Sequence, residues 1–408
     1  MTKEKLCVYL RMASEISLYI LIFALPFSKS IVEITIVSAL ASFVLERVLA
    51  KKRLLTDITH VDIFLFIFLL AALPSFANTD YFQTSFRALF TKVIKFAVLF
   101  LLVKEIIDTK DKVRNVVITA ASSCAMILVD GFIQHFITHR DLLHNYPSFL
   151  YLDTNPSVLG NPTASFPYPN DYAAWILVFI FPAAAFMLSK RSGWMPKIIS
   201  ALLFLGLLYT LFLTRVRGAW ISFAAAFSLA SVVKLKYIGI ILLIIFLLSA
   251  VVIDKSFVSY ILSFSSARDR GVMWNNSMKI FGEHPIIGNG INTFYLNYAR
   301  VRDDEYKNQK GSYAHNCYLQ MATETGIIGL MAFLLFIGAL VLKGVRSVNR
   351  LKDNTAGLLA SGLIFGIIAF LLHSAVDTNL YSLNLAALFW FSSGLMMAAI
   401  KIGTSDEK

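Results

Sequence analysis

The chain has 408 residues, of which 57% are hydrophobic and only 15% are charged, and its mean hydropathy is +0.69. This composition leaves too little polar surface for a water-soluble globule and excludes a large soluble domain. The net charge of +12 is compatible with a nucleic-acid partner, but the distribution of the basic residues along the chain indicates a membrane protein instead. We therefore predict an all-α integral membrane protein with no nucleic-acid partner.

Apolar runs separated by short polar segments predict about twelve transmembrane helices, because each crossing of the hydrocarbon needs about 20 residues. The first two runs are the least distinct, since the run Ile16–Phe27 is short and Glu33 lies just inside the second. The whole chain, 1–408, is predicted to form a single polytopic domain. The spans are predicted at residues 16–28, 31–48, 61–76, 84–103, 115–136, 171–189, 197–214, 218–233, 237–253, 326–342, 355–374 and 383–400.

The Lys and Arg residues between these spans predict the orientation. With both termini in the cytoplasm, the predicted inner segments carry 22 Lys and Arg residues, whereas the short outer connections carry four. We therefore expect a multi-pass protein of a bacterial inner membrane.

Two predicted outer segments are long enough to fold, at residues 137–170 and 254–325. The second contains the charged run RVRDDEYKNQK and also many apolar residues, so we expect it to be partly helical, with amphipathic helices at the membrane surface. An active site, if the chain has one, is expected on this outer side.

The segment TRVRGAW places Arg215 and Arg217 in a tight outer turn between two apolar helices, against the charge rule that the other loops follow. Such arginines either reach toward lipid headgroups or bind phosphate groups of an anionic substrate with their guanidinium forks. A second basic group, Arg268 and Arg270, opens a predicted helix, and Trp274 lies one turn after Arg270 on the same face.

The segment AHNCYLQMATETGIIGL leads from the second outer loop into a span. His315 is expected near the outer membrane surface, and Glu324 lies about two and a half turns further along the predicted helix. An isolated histidine here is often structural, but beside arginines a neutral imidazole is a candidate general base.

The spacing of the Cys, His, Asp and Glu residues along the chain does not indicate a metal site. The three cysteines fall in separate segments without a CxxC or Cys/His pattern, and Asp303, Asp304 and Glu305 are interpreted as a solvated acidic run. We predict no metal site and no cofactor.

The run from His315 to Leu330 resembles the signature of the O-antigen ligase and O-antigen polymerase superfamily, in which His-Asn is followed by Glu-x-Gly-x-x-Gly-Leu. Three further elements resemble that family in the expected order: Phe166–Asn170, Thr214–Gly218, and the segment from Arg270 through Trp274 to Pro285–Gly290. Which of Arg215 and Arg217 occupies the family's arginine position stays open.

The resemblance implies a GT-C-like membrane fold and an inverting, metal-independent glycosyltransferase. It implies His315 as the catalytic base and Arg215, Arg217, Arg270, Arg268, Asn316 and Glu324 as substrate-binding residues. The donor would be a polyprenyl diphosphate-linked glycan and the acceptor a glycolipid such as lipid A-core. We favour a ligase, because one dominant outer loop carries both the Arg270 and the His315 elements. The alternatives are an O-antigen polymerase, a protein O-glycosyltransferase or, in another class, a polysaccharide flippase.

Overall fold

In a computed structural model of the protein, residues 2–145, 147–148, 160–235, 265–302 and 313–404 are described. These residues form α-helices joined by short 3₁₀ and π segments, and they contain no β-strand beyond an isolated bridge between Arg140 and Pro147. The helices are α1 Lys3–Ala24, α2 Lys29–Ala50, α3 His60–Ala71, α4 Phe82–Ala88, α5 Lys95–Ile106, α6 Lys110–Ile133, α7 Pro169–Met187, α8 Trp194–Leu213, α9 Arg217–Ala230, α10 Ser265–Glu283, α11 Phe294–Val301, α12 Cys317–Ser347, α13 Thr355–His373 and α14 Leu383–Thr404.

Eight helices of the described part are long and apolar enough to cross a membrane, and this confirms the predicted all-α integral membrane fold. They comprise α1, α3 with its 3₁₀ extension, α6 with its π extension, α7, α8, α12, α13 and α14. Helix α2, the run from α4 to α5, and α9 with its π extension coincide with predicted spans 31–48, 84–103 and 218–233 but are not among the eight; the last is apolar but shorter. The predicted span 237–253 lies outside the described residues, so the count of twelve stays a prediction.

Local sequence explains where several helices begin. Thr59 and Asp62 form a reciprocal capping box at the start of α3, and the side chain of Asn354 accepts a hydrogen bond from the Gly357 amide at the start of α13. Both devices satisfy amide groups that have no partner within the helix.

Helices α13 and α14 form the centre of the bundle. In their most apolar windows 83% and 89% of the residues are buried, against 17% in α8, whose surface is left for lipid. Helices α7 and α9 both pack against α13 and also contact each other. The last residue of α13, His373, lies at the end of the bundle near Arg270 and Asn170, which belong to two of the predicted site elements.

The predicted outer loop 254–325 contains helix in its described part, namely α10 and α11. Helix α10 packs against both α11 and α12. A small hydrophobic cluster joins these elements through Ile280, Phe294, Tyr298 and Ala314. The loop residues therefore fold onto the start of α12, which is the helix that follows His315.

Candidate active site

His315 lies immediately before α12 and has a left-handed backbone conformation, with φ of 48°. The next residue, Asn316, caps the helix: its side-chain oxygen accepts hydrogen bonds of 3.0 Å from the amides of Tyr318 and Leu319. His315 thus ends the outer loop, and Asn316 supplies the N-cap from which α12 starts. This gives Asn316 a structural task, and its predicted contact with substrate stays a prediction.

The imidazole of His315 lies beside the carboxylate of Asp377, which the sequence analysis did not single out. Nδ1 of His315 and Oδ1 of Asp377 are 3.4 Å apart, and the same oxygen accepts a 2.7 Å hydrogen bond from the Thr378 amide. Burial by itself raises the pKa of Asp377, but the hydrogen bond with His315, the charge of His373 and the Thr378 amide together lower that pKa to about 2. Asp377 is therefore a carboxylate at neutral pH.

Cys317 fixes the two residues relative to each other. Its amide donates a 2.8 Å hydrogen bond to the carbonyl of Ser374, and its thiol lies 3.2 Å from the carbonyl of Asp377. The amide of Leu380 in turn donates to the Cys317 sulfur at 3.4 Å. The loop between α13 and α14 is thus tied to the first turn of α12, so the His315 and Asp377 side chains stay adjacent.

A second histidine, His373, flanks Asp377 on its other side. His373 is fully buried, and its Nε2 atom lies 3.9 Å from Oδ2 of Asp377. The backbone of Asn170 and the side chain of Arg270 are close enough to His373 to interact with it electrostatically. The Pro-Asn element at the start of α7 and the Arg270 element of α10 therefore reach the same place.

Asp171, the residue after that Pro-Asn element, is also part of this group. Its carboxylate interacts electrostatically with Asp377 and His315. It follows the motif residue Asn170 directly, so extension of the motif by one position could have found it. For His373 and Asp377, the available signal was their position at the predicted outer end of span 355–374.

The arginine turn connects α8 to α9 and packs against the segment that holds Asp377. Arg215 has φ of 53°, and Arg217 is the first residue of α9. A Cβ atom built on Gly218 would lie 2.7 Å from Cγ2 of Val376 and 3.1 Å from Nδ1 of His373. The turn therefore lies directly against the His373 to Asp377 segment, while Arg215 is within electrostatic range of His135.

Arg268 and Arg270 both lie on α10. Arg270 is half-buried and, as described above, interacts with His373. The side chain of Arg268 lies outside the described part, as do Asp303, Asp304 and Glu305. Within the described residues no group of three or more His, Cys, Asp or Glu side chains could hold a metal ion.

The Pro285–Gly290 turn and the Glu-x-Gly element interlock through their backbones. Helix α12 is broken at Gly326, with φ of 65° and ψ of −172°, and here the Ile327 amide donates to the Pro285 carbonyl at 2.9 Å. The Gly290 amide donates to the Glu324 carbonyl at 2.9 Å. A Cβ atom on Gly326 would lie 2.2 Å from the Ile286 oxygen, so only glycine fits this contact.

Glu324 supports the same turn with its side chain. The carboxylate is buried and accepts hydrogen bonds from the Asn292 amide at 2.8 Å and from the Gln320 side chain at 3.2 Å. Lys92, which lies in the π segment between α4 and α5, donates a 2.7 Å hydrogen bond to the Asn292 side chain. These contacts favour a role for Glu324 in holding the 285–294 segment, and its predicted contact with substrate stays a prediction.

A family model described as O-antigen ligase matches residues 201–334, about a third of the chain. The superfamily resemblance is confirmed. The matched residues include the arginine turn, Arg270, His315 and Glu324, whereas the Pro-Asn element, His373 and Asp377 lie outside them. No curated protein matches the chain.

The match to this family model supports a function of the O-antigen ligase or polymerase type and a glycosyltransferase-type activity. It is consistent with a multi-pass membrane protein that acts on lipid-linked glycans. Three of the predicted site elements are brought together around Asp377: His315, the arginine turn and Arg270.

Proposed function

We propose that the chain is an O-antigen ligase-type glycosyltransferase with an inverting, metal-independent mechanism. It would move a polysaccharide from an undecaprenyl diphosphate carrier to an acceptor such as lipid A-core on the periplasmic face of the inner membrane. The observation that carries this proposal is the buried Asp377 carboxylate beside His315, with the arginine turn packed against the same segment.

His315 acts as the general base in this proposal. With Nδ1 turned toward Asp377, the other ring nitrogen, Nε2, is left to take a proton, and 37% of the side chain is exposed. The carboxylate of Asp377 fixes the ring orientation and stabilises the imidazolium that forms, as a buried aspartate does in a Ser-His-Asp triad. The positive charge produced by the reaction thus has a fixed counter-charge.

The transfer forms one bond and breaks one bond. The acceptor hydroxyl oxygen bonds to the anomeric carbon, and the bond from that carbon to the diphosphate oxygen breaks. The hydroxyl proton goes to Nε2 of His315, and undecaprenyl diphosphate departs with the bonding electron pair. Attack from the face opposite the leaving group inverts the anomeric configuration.

The arginines stabilise the departing diphosphate. Arg217 and Arg270 belong to the two elements that reach His373, and Arg215 lies in the same turn as Arg217. Guanidinium groups bind phosphate oxygens in pairs, and donors fixed before the reaction stabilise developing charge as a metal ion does elsewhere. Transfer that persists in excess EDTA is the expected result for this mechanism, and loss that Mg²⁺ restores would contradict it.

A ligase and a polymerase use the same chemistry but different acceptors. We favour the ligase because the Arg270 and His315 elements belong to one dominant outer loop, and in the described part that loop folds as a unit on α12. Deletion of the gene should leave full-length glycan on the polyprenyl carrier. Accumulation of single repeat units would instead identify a polymerase, and unchanged transfer with impaired export would identify a flippase.

A further inference from the structure

Three of the buried polar atoms that lack a hydrogen-bond partner lie close together at the end of α13 and in the segment after it. They are both ring nitrogens of His373 and the Oδ2 atom of Asp377. Buried polar groups are nearly always paired in native structures, and each exception calls for an explanation. Here Nε2 and Oδ2 lie 3.9 Å apart, so a shift of about one ångström would pair them at ordinary hydrogen-bond length.

The surroundings of His373 indicate which ring nitrogen carries the proton. Nδ1 lies against Gly218 at the start of α9, whereas Nε2 lies 3.9 Å from Oδ2 of Asp377. An ionised carboxylate can only accept hydrogen bonds, so the ring nitrogen that faces it is the donor. The proton of the neutral ring then belongs on Nε2, which points toward Asp377.

We propose that His373 is a positioning residue that donates its Nε2 proton to Oδ2 of Asp377 and so holds this carboxylate against His315 during transfer. This inference rests on the proposed function, because it assigns a task to His373 in the proton transfer made by His315. During transfer the Nε2–Oδ2 distance would shorten from 3.9 Å to ordinary hydrogen-bond length. His373 itself would not touch the acceptor or the anomeric carbon.

The same arrangement explains why residue 218 is glycine. Alanine is favoured over glycine inside helices by about 1 kcal/mol, so a glycine in the first turn of α9 needs a packing reason. That reason is the contact with His373 and Val376, which leaves no room for a methyl group. The arginine turn and the Asp377 segment are thereby held at a fixed spacing.

A pair of variants with the same polarity but different geometry tests the proposal. The amide nitrogen of glutamine occupies nearly the place of Nε2 in histidine, whereas that of asparagine occupies nearly the place of Nδ1. We expect His373→Gln to keep single-turnover transfer within about threefold of the wild-type rate. His373→Asn should lower that rate by roughly 10-fold to 100-fold, with unchanged affinity for the donor, since an unmade positioning hydrogen bond costs about 1–3 kcal/mol.

Equal rates for the two variants would overturn the proposal, as would a fall in donor affinity that matches the fall in rate. If neither variant accumulates as folded membrane protein, His373 serves the fold rather than the carboxylate, and the proposal is again overturned. His315→Ala in the same assay separates this inference from the proposed function. Normal transfer by His315→Ala would reject both, whereas an inactive His315→Ala with a fully active His373→Asn would reject only the inference.

Discussion

Nδ1 of His315 and Oδ1 of Asp377 lie 3.4 Å apart, although 62 residues separate them in sequence. The pair joins a residue within the O-antigen ligase match to one that lies beyond it. Hydrogen bonds made by Cys317 to the 374–380 segment hold the two side chains together. The proposed site therefore includes the loop between α13 and α14 as well as the matched segment.

Asp377→Asn should lower the single-turnover rate by roughly 10²–10⁴-fold, because the imidazolium formed on His315 loses its counter-charge. Asp171 interacts with His315 only at a distance, so Asp171→Asn is the matched control and should lower the rate less. A normal rate in Asp377→Asn would contradict the assignment.

The protonation of Asp377 affects stability only at low pH. Its pKa is about 2 in the folded protein and roughly 3.9 in an unfolded chain. Its stabilising contribution is therefore complete above about pH 4 and is lost as the pH falls toward 2. The wild type should therefore lose stability as the pH falls from about 4 to 2, and Asp377→Asn should lack this part of the loss when unfolding is measured over that range.

Arg217→Lys and Arg270→Lys should each weaken donor binding by about tenfold or more, because an ammonium group cannot reproduce a bidentate contact with diphosphate. Arg300→Lys is the matched control on the same predicted outer loop, since Arg300 pairs with Glu283 at 2.5 Å rather than reaching His373. Binding can be measured by titration of a labelled polyprenyl diphosphate glycan into purified protein. Donor affinities that are equal in all three variants would remove Arg217 and Arg270 from the diphosphate site.

Glu324→Ala should act on stability more than on binding. Removal of its carboxylate leaves the Asn292 amide without an acceptor in a buried position, at a cost of about 1–3 kcal/mol. Glu283→Ala, which removes a more exposed carboxylate of α10, should change stability by about 0.5 kcal/mol or less. If folded Glu324→Ala instead lost donor affinity at normal thermal stability, the substrate contact predicted from sequence would be supported.

Topology can be tested with reporter fusions. We expect residues near 52, 108, 194 and 348 in the cytoplasm and those near 150, 216 and 300 outside, because the basic residues concentrate in the first set of loops. A reporter active in the cytoplasm when joined near 300 would place the whole site on the wrong side of the membrane.

The sequence predicted most of the helices because long apolar runs and capping residues such as Thr59 and Asn354 act locally. It also singled out His315, Arg217 and Arg270 as candidates, since these stand in recognisable motifs, and their roles stay predictions. Asp377 could not be found in this way, because it follows an apolar span and belongs to none of the recognised sequence motifs. Its proximity to His315 arises only when Cys317 is hydrogen-bonded to the next helix pair.

Glu324 illustrates the opposite difficulty. Its place in the Glu-x-Gly element predicted a contact with substrate, but its hydrogen bonds go to Asn292 and Gln320. Those partners depend on the break of α12 at Gly326 and on its pairing with the Pro285–Gly290 turn. Motif membership indicates that a residue matters, while the fold decides whether its side chain is turned toward the protein or toward the ligand.

The most direct measurement is single-turnover transfer by folded, membrane-inserted His315→Ala, with donor affinity measured on the same preparation. The account predicts a rate lower by ~10²–10⁴-fold and a donor affinity within about twofold of wild type, because only the proton acceptor is lost. His284→Ala is the matched control and should transfer normally. Normal turnover by His315→Ala would contradict the account and move the search for the base to His284 and Glu324.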